Sequence, residues 1–157
     1  MGQTTFSGPI RSERGFTAAG SNAVVNITAE TTLTYASHVG RIIEINDADG
    51  AVTLPSASAD TIGAKYVFFV GTTASDLDIK TDGTDTFVGN LVLAAAATSQ
   101  ARGFAPAATN DVISMNGTTT GGIAGSYIEI TAIAADEYLV TGTLLGSGTL
   151  VTPFADA

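Results

Sequence analysis

The chain has 157 residues and a mass of 15.8 kDa, one domain by length and enough to bury a real core. Six Lys/Arg stand against fifteen Asp/Glu, a net charge of −9, with one His, no Cys and no Trp. These counts exclude a disulfide framework and a Cys-based zinc site, and they argue against a basic nucleic-acid binder; 45% hydrophobic residues argue against disorder.

Residues 1–22 differ from the rest. Phe6, Ile10 and Phe16 stand isolated among glycines, and Arg11 and Arg14 are opposed only by Glu13, so this stretch is +1 while residues 23–157 are −10. No helical or strand period joins the apolar positions. The expectation is an extended arm that docks on a neighbour, gripping through Phe6, Ile10, Arg11, Arg14 and Phe16. No apolar h-region opens the chain, and Phe6 occupies the position where a myristoylation motif wants Ser or Thr. The longest apolar run, 91–97, is far short of a membrane span. A soluble protein made in a cytoplasm is predicted.

From residue 23 onward the pattern is β. Short runs of Thr, Val, Ile, Tyr and Phe alternate with Gly, Asp, Asn and Pro. Residues 23–28 and 31–35 are the first two predicted strands. Residues 41–46 (RIIEIN) place Ile43 and Ile45 on one face and Glu44 on the other. Asp47-Ala48-Asp49-Gly50 reads as a turn in which Asp caps and Gly supplies a positive φ, so 41–46 and 51–54 read as a hairpin ended by Pro55. A polar loop, 56–63, leads to 65–71 (KYVFFVG), the most hydrophobic strand and the one expected at the centre. Residues 77–80 alternate Leu77 and Ile79 inward against Asp78 and Lys80. The next turn is 81–85 (TDGTD), and 86–93 is a strand. Residues 91–101 are ambiguous: the alanine run has helix propensity, but its β-branched and aromatic neighbours argue for a strand. A short strand or loop at 102–105, a strand at 111–116 and a Gly/Thr loop at 117–125 follow. Residues 126–134 alternate Tyr127, Glu129 and Thr131 against Ile128, Ile130 and Ala132. Asp136 turns the chain into 137–144, and 146–157 read as an extended tail.

About ten short strands with turns every 8–12 residues predict an all-β fold: an antiparallel β-sandwich, jelly-roll-like or a β-barrel, with an extended N-terminal arm over 1–22 and a single β-rich domain over 23–157. So few charges on so many strands leave sheet edges that other subunits would cover. No repeat of fixed period is visible, which argues against a solenoid.

Chemistry is sparse. A Ser-His-Asp relay needs a histidine, and His38 has no flanking motif and reads as a loop residue. One His allows no two-His metal site within a chain. Asp47/Asp49, Asp76/Asp78 and Asp82/Asp85 resemble fragments of a calcium loop without its third ligand and terminal Glu, and turn chemistry explains them better. There is no P-loop, no Rossmann glycine pattern and no Gly-x-Ser-x-Gly elbow. Asn26-Ile27-Thr28 and Asn116-Gly117-Thr118 match the glycosylation triplet by chance in a chain without a signal peptide. The expectation is a non-enzymatic protein without catalytic residue, metal or cofactor.

Two groups of residues carry a resemblance. One is Thr5-Phe6-Ser7-Gly8-Pro9-Ile10-Arg11-Ser12-Glu13-Arg14-Gly15-Phe16. The other is the succession Gly40-Arg41-Ile42-Ile43-Glu44-Ile45-Asn46, Gly50-Ala51-Val52-Thr53-Leu54-Pro55, Tyr66-Val67-Phe68-Phe69-Val70, Ile113-Ser114-Met115-Asn116-Gly117-Thr118-Thr119 and Ile128-Glu129-Ile130. Over roughly residues 4–154 the chain resembles small structural proteins of tailed-bacteriophage virions, most closely head decoration (capsid cement) proteins. The resemblance implies a β-rich homotrimer on the outer surface of the head, bound to the major capsid protein at threefold or quasi-threefold positions, with no nucleic acid or membrane partner and no catalytic residue. Similar strand and turn passages occur in phage fibre and spike modules. An adhesion module, using Tyr35, Tyr66, Tyr127 or Tyr138 for a host glycan or receptor, is the alternative. A polysaccharide-degrading spike would need a longer chain.

Overall fold

Backbone alternation with a period of two sorts side chains into those that meet water and those that do not, and it builds the core of this protein. The computed structural model describes Gly20 and residues 22–157. The arm residues Phe6, Ile10, Arg11, Arg14 and Phe16 lie outside the described residues.

The strands are β1 (Val24–Ile27), β2 (Thr31–Thr32), β3 (Ile42–Ile45), β4 (Ala51–Thr53), β5 (Lys65–Val70), β6 (Leu77–Lys80) and β7 (Thr86–Gly89). They continue with β8 (Leu91–Ala95), β9 (Gln100–Phe104), β10 (Val112–Met115), β11 (Tyr127–Ala134), β12 (Glu137–Leu145) and β13 (Phe154–Ala155). One helical turn, α1 (Tyr35–His38), and a 3-10 turn, Ala96–Thr98, interrupt them. The all-β expectation holds. The larger sheet runs β1-β3-β5-β11-β12-β8-β9, with β7 also on β12, and the smaller runs β13-β10-β6-β4-β2. Their inward side chains form one cluster, including Ile43, Ile45, Tyr66, Phe68, Ile128 and Ile130 from the larger sheet and Val52, Leu77, Ile79 and Met115 from the smaller.

The pairing departs from an antiparallel arrangement. β1, β3 and β5 are parallel neighbours in the larger sheet, and β2, β4 and β6 are parallel neighbours in the smaller. The chain from Val24 to Lys80 therefore coils, stepping from one sheet to the other with every strand. Successive register partners are 18 and 25 residues apart in one sheet (Val24, Ile42, Val67) and 21 and 27 in the other (Thr31, Val52, Ile79). These unequal turns hide the coil from any search for a fixed period, which corrects the argument against a solenoid for this half. They also dissolve the expected 41–46/51–54 hairpin, because β3 and β4 belong to different sheets. Gly50 does not have the positive φ expected of it. It is needed for space: a Cβ there would collide with the Asp47 carboxylate, which is folded over the turn.

Antiparallel pairings make most of the rest of the sandwich, while β7 and β8 run parallel to β12. β11 joins β5, with Phe68 opposite Ile128 and Phe69 opposite Tyr127, and β10 joins β6. β5 thus has strands on both sides, as its hydrophobicity predicts. The β11–β12 hairpin turns at Asp136, whose φ of 62° lies in the left-handed region where Asp is tolerated. The strand expected over 86–93 is broken at Gly89 (φ 108°), yet β7 and β8 keep one register along β12, Thr86 opposite Glu137 and Val92 opposite Thr143. The ambiguous 91–101 stretch resolves into β8, the 3-10 turn and the start of β9; burial of Leu91, Leu93 and Ala95 beside β12 outweighs alanine's helix propensity. The second predicted strand keeps only Thr31–Thr32 before α1 begins. The C-terminal stretch is tied down, with Leu150 and Phe154 buried and β13 paired to β10.

Candidate functional site

Of the polar residues that the sequence singles out, His38, Asp82 and Asn116 serve local structure. His38 closes α1: its Nδ1 lies 2.9 Å from the Thr34 amide, which donates to it. Asp82 makes an Asx-type turn, its Oδ1 accepting from the Thr84 hydroxyl at 2.7 Å and the Thr84 amide at 3.0 Å. Partial burial raises the Asp82 carboxyl, but hydrogen bonds from Thr84, Ser56 and Asp85 outweigh it and hold the group below its ordinary range. Asn116 is likewise a turn residue, its Oδ1 accepting from the amides of Thr118 and Thr120. Among the described residues no group of three or more His, Cys, Asp or Glu is placed to hold a metal ion, and no helix is long and apolar enough to cross a membrane.

One polar cluster is buried. Asp85 is sealed from solvent; its Oδ2 accepts the Ala57 N–H at 2.7 Å, and its Oδ1 has no partner. Burial pushes its carboxyl above the ordinary range; the Ala57 amide opposes this, and the charges of Asp82 and Asp136 add to it. Tyr138 donates to the Pro55 carbonyl at 2.6 Å and packs edge-on against Tyr66, ring centroids 6.4 Å apart. Burial, with Tyr35 nearby, pushes the Tyr66 phenol up to about 12. Asp85 ties Ala57 to the turn at 82–85, and Tyr138 ties Pro55 to β12; Asp85, Tyr66 and Tyr138 are all fully buried, and the Tyr66 hydroxyl has no partner among the described residues.

Two surface features stand out among the described residues. An open groove of about 750 Å³ runs between β9 and Gly148–Thr149, lined in part by Ser99, Gln100 and Arg102. Arg102 is already committed: it donates to the Leu150 carbonyl at 2.9 Å and lies 5.7 Å from the centroid of the Phe104 ring. The second feature is the outer face of the larger sheet. Val24, Ile42 and Val67 sit side by side across β1, β3 and β5. In the neighbouring row Phe69 faces Tyr127, Tyr127 faces Thr143, and Thr143 faces Val92. Ile133 and Leu139 lie beyond. Val67 is half-buried, and the others are exposed, from 37% for Phe69 and Val92 to 46% for Ile42. A sheet with one face in water normally shows polar side chains there. The smaller sheet obeys, with Thr53, Asp78, Lys80 and Ser114 on its outer positions. The larger sheet mixes Asn26, Glu44, Lys65, Glu129, Thr131 and Thr141 with these apolar side chains.

No family model, curated protein or solved structure matches this chain.

The face is therefore the strongest candidate site, and sequence reasoning missed it. The sign was present in KYVFFV, where Val67 and Phe69 are as apolar as Tyr66, Phe68 and Val70; a strand with one wet face should alternate. Ile42, ahead of the Ile43/Ile45 pair, carried the same sign. Of the four tyrosines considered for a binding pocket, Tyr66 and Tyr138 are buried and only Tyr35 and Tyr127 are exposed, on different parts of the surface.

Proposed function

We propose that this chain is a non-enzymatic bacteriophage decoration, or cement, protein that binds the assembled head and stabilises the shell as a homotrimer at threefold or quasi-threefold positions. It is made in the bacterial cytoplasm and ends on the outer surface of the virion, with the major capsid protein as its partner. The observation that supports this reading best is a well-packed β-sandwich whose one anomalous surface is an apolar sheet face, which suits protein association. The sequence adds a positively charged segment with isolated large apolar residues ahead of an acidic body. A protein that binds only the assembled shell shifts the equilibrium toward that shell, by about 2.7 kcal/mol per site at a hundredfold excess over Kd. Phe6, Ile10, Arg11, Arg14 and Phe16 are assigned to the shell contact; the acidic rims face water and keep particles apart.

The test is co-sedimentation with expanded heads. Removal of residues 1–20, or Arg11→Glu with Arg14→Glu in the full chain, should abolish binding while the far-UV spectrum stays β-type. Undiminished binding by both variants would overturn the assignment. A second reading, an adhesion module for a host glycan, draws on the groove beside Gln100 and Arg102; a glycan array without hits removes it.

A further inference from the structure

We propose that the open edge of β9 is a strand-addition site that takes an extended acidic segment of a partner protein. The inference does not depend on the proposed function; under that reading the segment belongs to the major capsid protein. The path of the groove is the first argument. Gln100 lies opposite Ala95 and Arg102 opposite Leu93, so both leave the sheet on the side where Leu93 and Ala95 are buried, while Ala101 leaves on the other. All three line the groove. A depression on one face of a strand touches alternate residues; one that touches three in succession follows the strand's edge.

That edge offers unpaired backbone. In a strand the N–H and C=O of one residue point to the same side, and successive residues alternate. Gly146, just past β12, donates to the Ala94 carbonyl at 2.8 Å, so Ala94 is directed at β12 and its neighbours Leu93 and Ala95 at β9. Ala101 and Gly103, opposite Ala94 and Val92, therefore turn their amides and carbonyls away from β8, and neither has another backbone partner among the described residues. Both are exposed, and a Cβ on Gly103 would meet nothing within 4 Å. Proline, bulges and free charges normally blunt an edge strand. β9 has no proline and keeps one register along β8, and its single charge, Arg102, leans on the Leu150 carbonyl. Among the described edge strands it is the longest, five residues against four in β1 and two in β2 and β13.

Charge selects the occupant. The groove's two walls belong to the stretches 86–110 and 138–155, which hold no Asp or Glu, while the rest of the chain holds all fifteen. Arg102 is the one charged residue in either stretch. The walls are thus positive in a chain of net −9, and an acidic segment is drawn to them and repelled by the remainder of the body. This chain does not supply such a segment. Two β9 edges paired about their centres would set Arg102 against Arg102, the β1 strand VVNI has no charge, and residues 1–22 carry +1.

The experiment selects a random heptapeptide library on the immobilised intact chain and measures the affinity of each recovered peptide in solution. The recovered peptides should carry an excess of acids and protect the Ala101 and Gly103 amides from hydrogen exchange. Ala101→Pro removes one outward N–H and no bond to β8, a change that an edge strand tolerates. It should weaken those peptides by about tenfold or more with an unchanged far-UV spectrum. Gly103→Pro repeats the test at the second open amide, so that misfolding of one variant does not decide the matter. No recovered peptide, peptides without an excess of acids, or equal binding by both proline variants overturns the proposal. So does a glycan that occupies the groove where no peptide does, which supports the adhesion module instead. A chain that sediments with heads but binds no peptide loses this site and keeps the cement reading; one that binds acidic peptides but no heads keeps the site and loses that reading.

Discussion

Phe68 and Phe69 are neighbours on β5 whose side chains leave opposite faces of the larger sheet, so replacing each by alanine compares the inside and the outside at one point. Phe68 is fully buried between its register partners Ile43 and Ile128, both of which are themselves buried. Truncation there removes a ring from a packed core and leaves a cavity, a loss of about 3–5 kcal/mol. Phe69 keeps 37% of its surface exposed and faces Glu44 and Tyr127. Its truncation costs a partial burial and a cross-strand aromatic pair, about 1 kcal/mol in the isolated chain. A gap of about 3 kcal/mol corresponds to a factor of more than about 100 in the folding equilibrium constant. Urea unfolding followed by far-UV circular dichroism is the suitable assay, since the chain has no Trp. It should be run at concentrations low enough that association does not contribute. Similar m-values and a much lower midpoint for Phe68→Ala are expected. Equal losses would refute the assignment of faces, and a larger loss at Phe69 would mean that β5 is displaced by one residue in register, because a one-residue slip exchanges the two faces.

Two further predictions concern buried constraints. Because the folded state raises the Asp85 carboxyl above its unfolded value, it holds that proton more tightly, and the residue's contribution to stability falls as pH rises from the ordinary carboxyl range through the raised value. Asp85→Asn keeps an acceptor for the Ala57 amide and cannot ionise, so its stability relative to wild type should improve as pH rises above the ordinary carboxyl range; a difference that stays constant with pH would show that Asp85 does not titrate differently in the two states. Gly89 has a φ of 108°, and a Cβ there would collide with the Val140 carbonyl of β12. Gly89→Ala should cost about 1–3 kcal/mol and lower Tm by several degrees; an unchanged Tm would show that the break between β7 and β8 does not need glycine.

Composition and local pattern were enough to determine that this chain is β and which residues of its clearest strands point inward. The pairs Ile43/Ile45, Leu77/Ile79 and Ile128/Ile130 all lie in the core, because strand alternation is local and apolar burial dominates the choice of face. The turns at 81–85 and at Asp136 were equally legible, since Asp and Gly act on their own backbone. Partner choice was not local. β3 followed by a short turn and β4 looks like a hairpin in sequence; only tertiary packing shows that the two strands enter different sheets and pair with strands 18 or more residues away. The same holds for the candidate site. Whether Val67 and Phe69 belong to a strand buried on both faces or stand on an open one depends on what covers the sheet, and that is decided by how the thirteen strands among the described residues stack. Tertiary structure alone places Val24, Ile42, Val67, Phe69 and Tyr127 on one uncovered face, because residues distant in sequence become neighbours only through register.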